Sequence, residues 1–128
     1  MGALIHYTYA ASSAAYRTRI ALNFKGLAAE ERYVHLLKDG GQQHGAAYAG
    51  VNPQEIVPAL VDDGQAIGQS LAIVEYLDEV YSEPPLLPRA PLARARVRQV
   101  ALAIACDIHP LNNLRVRQYL AGSLKADE

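Results

Sequence analysis

Apolar and polar positions alternate over residues 4–9, with Ile5, Tyr7 and Tyr9 on one face and Leu4, His6 and Thr8 on the other, which predicts a strand. The period then lengthens. Tyr16, Ile20, Phe24 and Leu27 fall at helical spacing, with Ser12 or Ser13 as an N-cap and Gly26 as a C-terminal stop. Residues 32–37 predict a second strand, with Tyr33, His35 and Leu37 on one face. A polar loop over 38–44 leads to a short helix around 44–48, and Asn52-Pro53 marks a turn. Residues 57–62 read as a strand with Pro58 at its start, Asp63-Gly64 as a hairpin turn and residues 65–67 as the returning strand. Gly68-Gln69-Ser70 opens a helix with Leu71, Val74, Leu77 and Tyr81 on its buried side.

This order is strand–helix–strand followed by strand–hairpin–strand–helix. The first unit requires a crossover and a parallel pair, and the second is antiparallel. The prediction is an α/β fold with a mixed sheet and flanking helices. Residues 82–90 hold three prolines in nine positions, which no helix or strand survives, so they read as a linker. A long helix starts at Pro91, a position that tolerates proline, with Val97, Val100, Ile104, Ile108 and Leu111 as its apolar stripe. Pro110 kinks or divides it. A weaker helical pattern runs through Leu114, Tyr119 and Leu120, and residues 122–128 read as a frayed tail.

Bulk properties narrow the function classes. The 128 residues carry a net charge of −1, which gives no global attraction to nucleic acid or to an anionic membrane. Arg89, Arg94, Arg96 and Arg98 project round different sides of their helix and read as a solvated face. The N-terminus lacks the basic and apolar regions of a signal peptide, and no apolar run reaches the roughly 20 residues of a membrane span. The single cysteine, Cys106, excludes an internal disulfide framework and accords with a reducing cytoplasm. Lying in an apolar helical run, it reads as a small buried hydrophobe. His6, His35, His44 and His109 show no metal spacing and read as structural or exposed, so no metal site is expected.

The chemistry concentrates at residues 9–22. Two hydroxyls, Ser12 and Ser13, stand where a helix begins, and the backbone N–H groups and positive dipole end there suit an anion such as a thiolate. Taken alone, serine at this position is most simply an N-cap. Glutaredoxin-type chemistry would need a reactive cysteine at that helix, and none is present.

Four motifs in order carry a resemblance. They are Ser-Ser-Ala-Ala-Tyr-Arg-Thr-Arg-Ile-Ala-Leu at 12–22, Lys-Asp-Gly-Gly-Gln-Gln at 38–43, Asn-Pro-Gln-Glu-Ile-Val-Pro-Ala-Leu at 52–60 and Gln-Ser-Leu-Ala-Ile-Val-Glu-Tyr-Leu at 69–77. Leu-Leu-Pro-Arg-Ala at 86–90 and Ile-His-Pro-Leu-Asn-Asn-Leu at 108–114 extend them. Together they resemble the zeta-class glutathione transferases, which include the maleylacetoacetate and maleylpyruvate isomerases. The resemblance implies a thioredoxin-like glutathione-binding domain over 1–81, a proline-rich linker over 82–90 and, over 91–128, the first one or two helices of an all-α domain. It implies a cytoplasmic homodimer in aromatic amino-acid catabolism. The family's helical domain runs longer, so the chain reads as a fragment or a short member.

By the same resemblance, Ser12 matches the catalytic serine that hydrogen-bonds the glutathione sulfur, with Ser13 as a second donor. Arg17 and the helix N-terminus favour the thiolate. A free thiol has a pKa of about 8.5, and each unit of depression is worth about 1.4 kcal/mol of anion stabilisation. Gln69 and Ser70 match the pair that holds the γ-glutamyl end. Val57 matches the residue whose backbone pairs with the cysteinyl part, and the following Pro58 is cis in the family. Gln43 and Asn113 match further contacts. The implied reaction is glutathione-dependent cis–trans isomerisation of a maleyl compound: the thiolate adds to the double bond, the adduct rotates, and elimination yields the fumaryl isomer. The chain departs from the family at Ala11, Ala14 and Tyr16, where arginine, cysteine and tryptophan are common. Those departures motivate an alternative: a glutathione-binding or interaction module with little or no catalysis.

Overall fold

The computed structural model describes residues 3–125 and divides into two compact units, residues 1–86 and 87–128. In the first, strand β1 (Leu4–Thr8) leads into helix α1 (Ser13–Phe24), which returns to strand β2 (Ala29–Tyr33). Short 3-10 turns at Lys38–Gly40 and Gln42–His44 precede helix α2 (Ala46–Ala49). Strands β3 (Ala59–Asp62) and β4 (Gln65–Gly68) form a hairpin, and helix α3 (Ser70–Val80) follows. The sheet order is β2-β1-β3-β4, with β1 parallel to β2 and the other pairs antiparallel. This is the expected thioredoxin-like mixed sheet of four strands with flanking helices.

The hairpin turn is the one the dipeptide predicts, since Asp63 and Gly64 both take positive φ, at 46° and 76°. The alternation in β1 also holds, with Leu4, His6 and Thr8 buried and Ile5 and Tyr7 half-buried. Leu4, Ala21, Leu22, Leu60, Ile73 and Leu77 form one core cluster. Ala15, Val34, Tyr48, Val57 and Ala59 form a second, with Tyr7 packed against it.

Several expectations are corrected. The second strand lies at Ala29–Tyr33 rather than 32–37, because the parallel register with β1 pairs Leu4 with Ala29 and Thr8 with Tyr33. It is an edge strand, and its exposed Glu30, Glu31 and Arg32 suit an edge. Beyond it the chain turns, and His35 Nδ1 accepts from the N–H groups of Leu37 and Lys38.

The buried face of α1 is also different. Ala15, Thr18, Ala21 and Leu22 are buried, while Tyr16, Ile20 and Phe24 are exposed. Small side chains let the helix lie close to the sheet, and the larger apolar set faces outward. On α3, Ser70, Ile73 and Leu77 are the buried residues, with Leu71, Val74 and Tyr81 only half-buried.

Residues 82–86 belong with the first unit. Lys25, at the C-terminus of α1, has a fully buried ammonium group that donates to Asp78 Oδ1 at 2.8 Å, Tyr81 O at 2.6 Å and Pro84 O at 2.9 Å. Asp78 Oδ1 also accepts from Leu86 N–H at 2.7 Å. Three donors thus meet three acceptors, which is what a buried ammonium needs.

The second unit begins with helix α4 (Pro91–Leu102), which has proline at its first position. A π-helical segment (Ala103–Ile108) and a 3-10 turn (His109–Asn112) follow, then helix α5 (Leu114–Gly122). The expected break at Pro110 therefore begins seven residues earlier in the chain, where the α pattern gives way at Ala103. No described residue of this unit is buried. Cys106 is exposed, not buried as expected, since the apolar run that carries it forms no core among the described residues of its unit. Among the described residues no helix is long and apolar enough to cross a membrane.

Candidate functional site

Two helix mouths in the first unit are joined by one side chain. Ser12 caps α1: its Oγ accepts from Ala15 N–H at 3.2 Å, and its carbonyl accepts from Tyr16 N–H at 2.9 Å. The Ser12 N–H is itself held by Tyr9 O at 3.0 Å, so the turn out of β1 is fixed on both sides. A hydroxyl that accepts from the helix still has its own proton to donate, and the cap polarises it for that use. Ser13 begins the helix and is exposed, and Ser12 is half-buried.

Arg17 lies one turn further along α1. Its Nε and Nη2 donate to Ser70 Oγ at 3.2 and 3.1 Å. Ser70 is buried at the first position of α3. Burial lowers the Arg17 pKa from the ordinary arginine value. The guanidinium therefore stands beside the mouth of α3, where backbone N–H groups and the helix dipole already favour an anion. Gln69, just before Ser70, has a φ of +67°, which a non-glycine residue seldom adopts. Its Nε2 donates to Gln54 Oε1 at 2.8 Å.

The segment before β3 is held from beneath. Ile56 O accepts from Tyr48 Oη at 2.6 Å and from Asn52 Nδ2 at 2.7 Å, while Asn52 Oδ1 accepts from Gln54 N–H at 3.1 Å. Burial pushes the Tyr48 phenol up to about 12, so it stays a neutral donor. These bonds place Val57, which is buried and precedes the first ladder residue, Ala59. The Val57–Pro58 peptide is cis.

Gln43 is buried, and its Nε2 lies 3.4 Å from Leu36 O and 3.2 Å from His44 Nε2. Its Oε1 is buried without a hydrogen-bond partner. Gly41 is required beside it: at a φ of +99°, a Cβ there would stand 2.7 Å from Gln43 Nε2. His44 Nδ1 in turn pairs with Glu55.

Ser12, Ser13, Arg17, Gln43, Val57, Pro58, Gln69 and Ser70 thus all lie in the first unit, and direct bonding joins Arg17 to Ser70. Asn113 belongs to the second unit, where its side chain caps α5, accepting from Val116 N–H at 3.2 Å and donating to Pro110 O at 3.0 Å. Sequence reasoning missed the Arg17–Ser70 bond, which spans 53 residues. His6, read as structural or exposed, is fully buried beneath α1. Among the described residues no group of three or more His, Cys, Asp or Glu side chains could hold a metal ion.

Residues 7–85 match the family of the glutathione S-transferase N-terminal domain. The chain belongs to the glutathione S-transferase family. A probable maleylacetoacetate isomerase of Vibrio cholerae is 54% identical over 129 residues, spanning 100% of this chain and 60% of that relative. The maleylacetoacetate isomerase of Pseudomonas aeruginosa is 51% identical over 89% of this chain and 54% of its own length. Among solved structures, a bacterial zeta-class maleyl pyruvate isomerase in its holo form superposes with a TM-score of 0.89 at 44% identity, covering 95% of this chain and 57% of that one. A maleylacetoacetate isomerase from Methylobacterium extorquens AM1, with bound malonate and glutathione, gives a TM-score of 0.90 at 48% identity, covering 95% and 56%. The chain therefore spans between half and two thirds of the length of these glutathione S-transferases.

Proposed function

We propose that the chain binds glutathione across the two helix mouths of its first unit and, as part of a zeta-class enzyme, isomerises maleylacetoacetate or a similar maleyl compound. The observation that carries this is the capped Ser12 hydroxyl at the start of α1, with Arg17 reaching from the same helix to Ser70 at the start of α3. The residues present fit a tripeptide with an anion at each end and a thiol between. Ser12 donates toward the sulfur. Ser70 and Arg17 receive the γ-glutamyl carboxylate, and Gln69 lies beside them. The backbone of Val57, ahead of the ladder, is available to pair with the cysteinyl unit as an added strand. The buried, unpartnered Oε1 of Gln43 offers a further polar contact.

Arg17 thus serves the carboxylate end more directly than the sulfur, because its guanidinium is committed to Ser70. Ser12 and the dipole of α1 carry the thiol's activation, with Ser13 as a second donor. Glutathione supplies the nucleophile that adds to the cis double bond and is released after rotation. The working form in this reading is a homodimer in the cytoplasm, and the exposed apolar residues of α4 and the segment after it, Val97, Val100, Ile104 and Ile108, support the association alone.

Calorimetry with glutathione, followed by turnover of maleylacetone, tests the proposal. The expected result is binding by the wild-type chain. In the complete enzyme, Ser12→Ala should lower turnover about 100-fold, the scale of losing one donor to a developing anion. Binding without turnover in the complete enzyme would favour the non-catalytic module instead, and absence of binding would reject both.

A further inference from the structure

Beneath the thiol site lies a polar contact that the proposed chemistry does not use. His6 on β1 and Thr18 on α1 are both fully buried, with His6 Nε2 2.7 Å from Thr18 Oγ1. Thr18 Oγ1 donates its only proton to Ala15 O at 2.8 Å. The proton between His6 and Thr18 must therefore come from His6 Nε2, which fixes the imidazole as a donor on that side. Ala15, fully buried as well, gives its N–H to Ser12 Oγ. One residue is thus held at its carbonyl by the buried pair and at its amide by the serine cap.

We propose that His6 is a positioning residue for the thiol site, pinning the first turn of α1 to the sheet through Thr18 and so aiming the Ser12 hydroxyl. The inference rests on the reading of Ser12 as the sulfur's donor. The turn is also tied by Ser12 N–H to Tyr9 O and by Arg17 to Ser70, and the His6–Thr18 pair ties it to β1 from below. The buried face of α1 carries only alanines and Thr18 until Leu22, so no large apolar side chain locks the first turn in place. A directional bond does that work, and misplacement by about 1 Å can cost on the order of 100-fold in rate. The other charged groups facing the ring are Glu31 of β2, whose Oε1 is 3.9 Å from His6 Nδ1, and Arg19 of α1, 3.7 Å from the same carboxylate. Both lie on the Nδ1 side, away from Thr18.

The test follows the ultraviolet absorbance of the bound glutathione thiolate against pH in the full chain. His6→Leu fills the space without a donor, and Thr18→Val removes the acceptor. Each should raise the thiolate midpoint by about one unit, a roughly tenfold loss of thiolate at a fixed pH below it. The double variant should move it no further than either single change. His6→Gln, which can place an N–H near the Nε2 position, should restore most of the shift, and a purely structural role predicts no such rescue. Folded His6→Leu or Thr18→Val protein with the wild-type midpoint would overturn the proposal; should one variant fail to fold, the other decides. The 15N shifts of His6 in the unmodified protein give a check without mutation, since a proton on Nδ1 alone would also overturn it. If wild-type protein forms no thiolate with glutathione, the glutathione reading itself fails and this role falls with it; a normal wild type with unmoved variants removes the role of His6 alone.

Discussion

The first compact unit buries Leu60, Ile73 and Leu77 completely, whereas no described residue after Leu86 is buried. Both units contain amphipathic helices, so the difference lies in what those helices meet. In residues 3–86 a four-stranded sheet gives α1 and α3 a face to pack on, and some of the polar groups that go inside meet several partners at once. Lys25 is the strongest instance, with three acceptors for its three donors. In residues 87–125 no described residue is buried, and Val100, Ile108 and Leu111 remain between 62% and 75% exposed. A helix with a good stripe is therefore only half of a folding unit. The lesson bears on function, because all the candidate glutathione contacts except Asn113 lie in the unit that has its own core.

The contrast can be broken most severely at Lys25. Lys25→Ala leaves the partly buried Asp78 and two carbonyls without the cation they share, and should cost about 3 kcal/mol in denaturant unfolding. Leu60→Ala, in the same core, should cost about 2–5 kcal/mol. The equivalent truncation Ile108→Ala should fall within about 0.5 kcal/mol, because that side chain is already in water. A loss at Ile108 matching that at Leu60 would refute the contrast.

Removing the cap by Ser12→Ala should cost about 1 kcal/mol. That is too little to unfold the unit, so its effect on the thiol can be read separately from stability.

The pH dependence sharpens the same point more gently. Burial holds the His6 pKa below its ordinary value of about 6.5, so the unfolded chain binds more protons than the folded one as the pH falls through that value. Stability should therefore be fully present above pH 6.5, fall below it and level off below the folded pKa. His6→Leu should flatten this part of the profile. A final and smaller effect concerns assembly: light scattering should show self-association that Val100→Glu weakens, whereas a monomer at high concentration would count against the exposed stripe as an interface.

Much of this was legible in the order of residues. The β1 alternation, the serine cap, the Asp63-Gly64 turn and the proline start of α4 each follow from a local rule that tertiary structure did not override. What stayed hidden was decided by distant partners. Periodicity could not tell that α1 packs through Ala15, Thr18 and Ala21 and leaves Tyr16, Ile20 and Phe24 outside, because the close approach of helix and sheet selects small residues. The position of β2 follows from its register on β1, not from its own alternation. In the site, Ser12 and Ser70 could be found from their helix starts. Their connection through Arg17, and the support of Ala15 by His6 and Thr18, depend on contacts between separate elements.

The most direct test is a crystal structure of the full chain with glutathione. The sulfur should lie within hydrogen-bonding distance of Ser12 Oγ, with the γ-glutamyl carboxylate at Ser70 and Arg17. A sulfur distant from the mouth of α1, with Ser12 contacting only its own helix, would contradict the account.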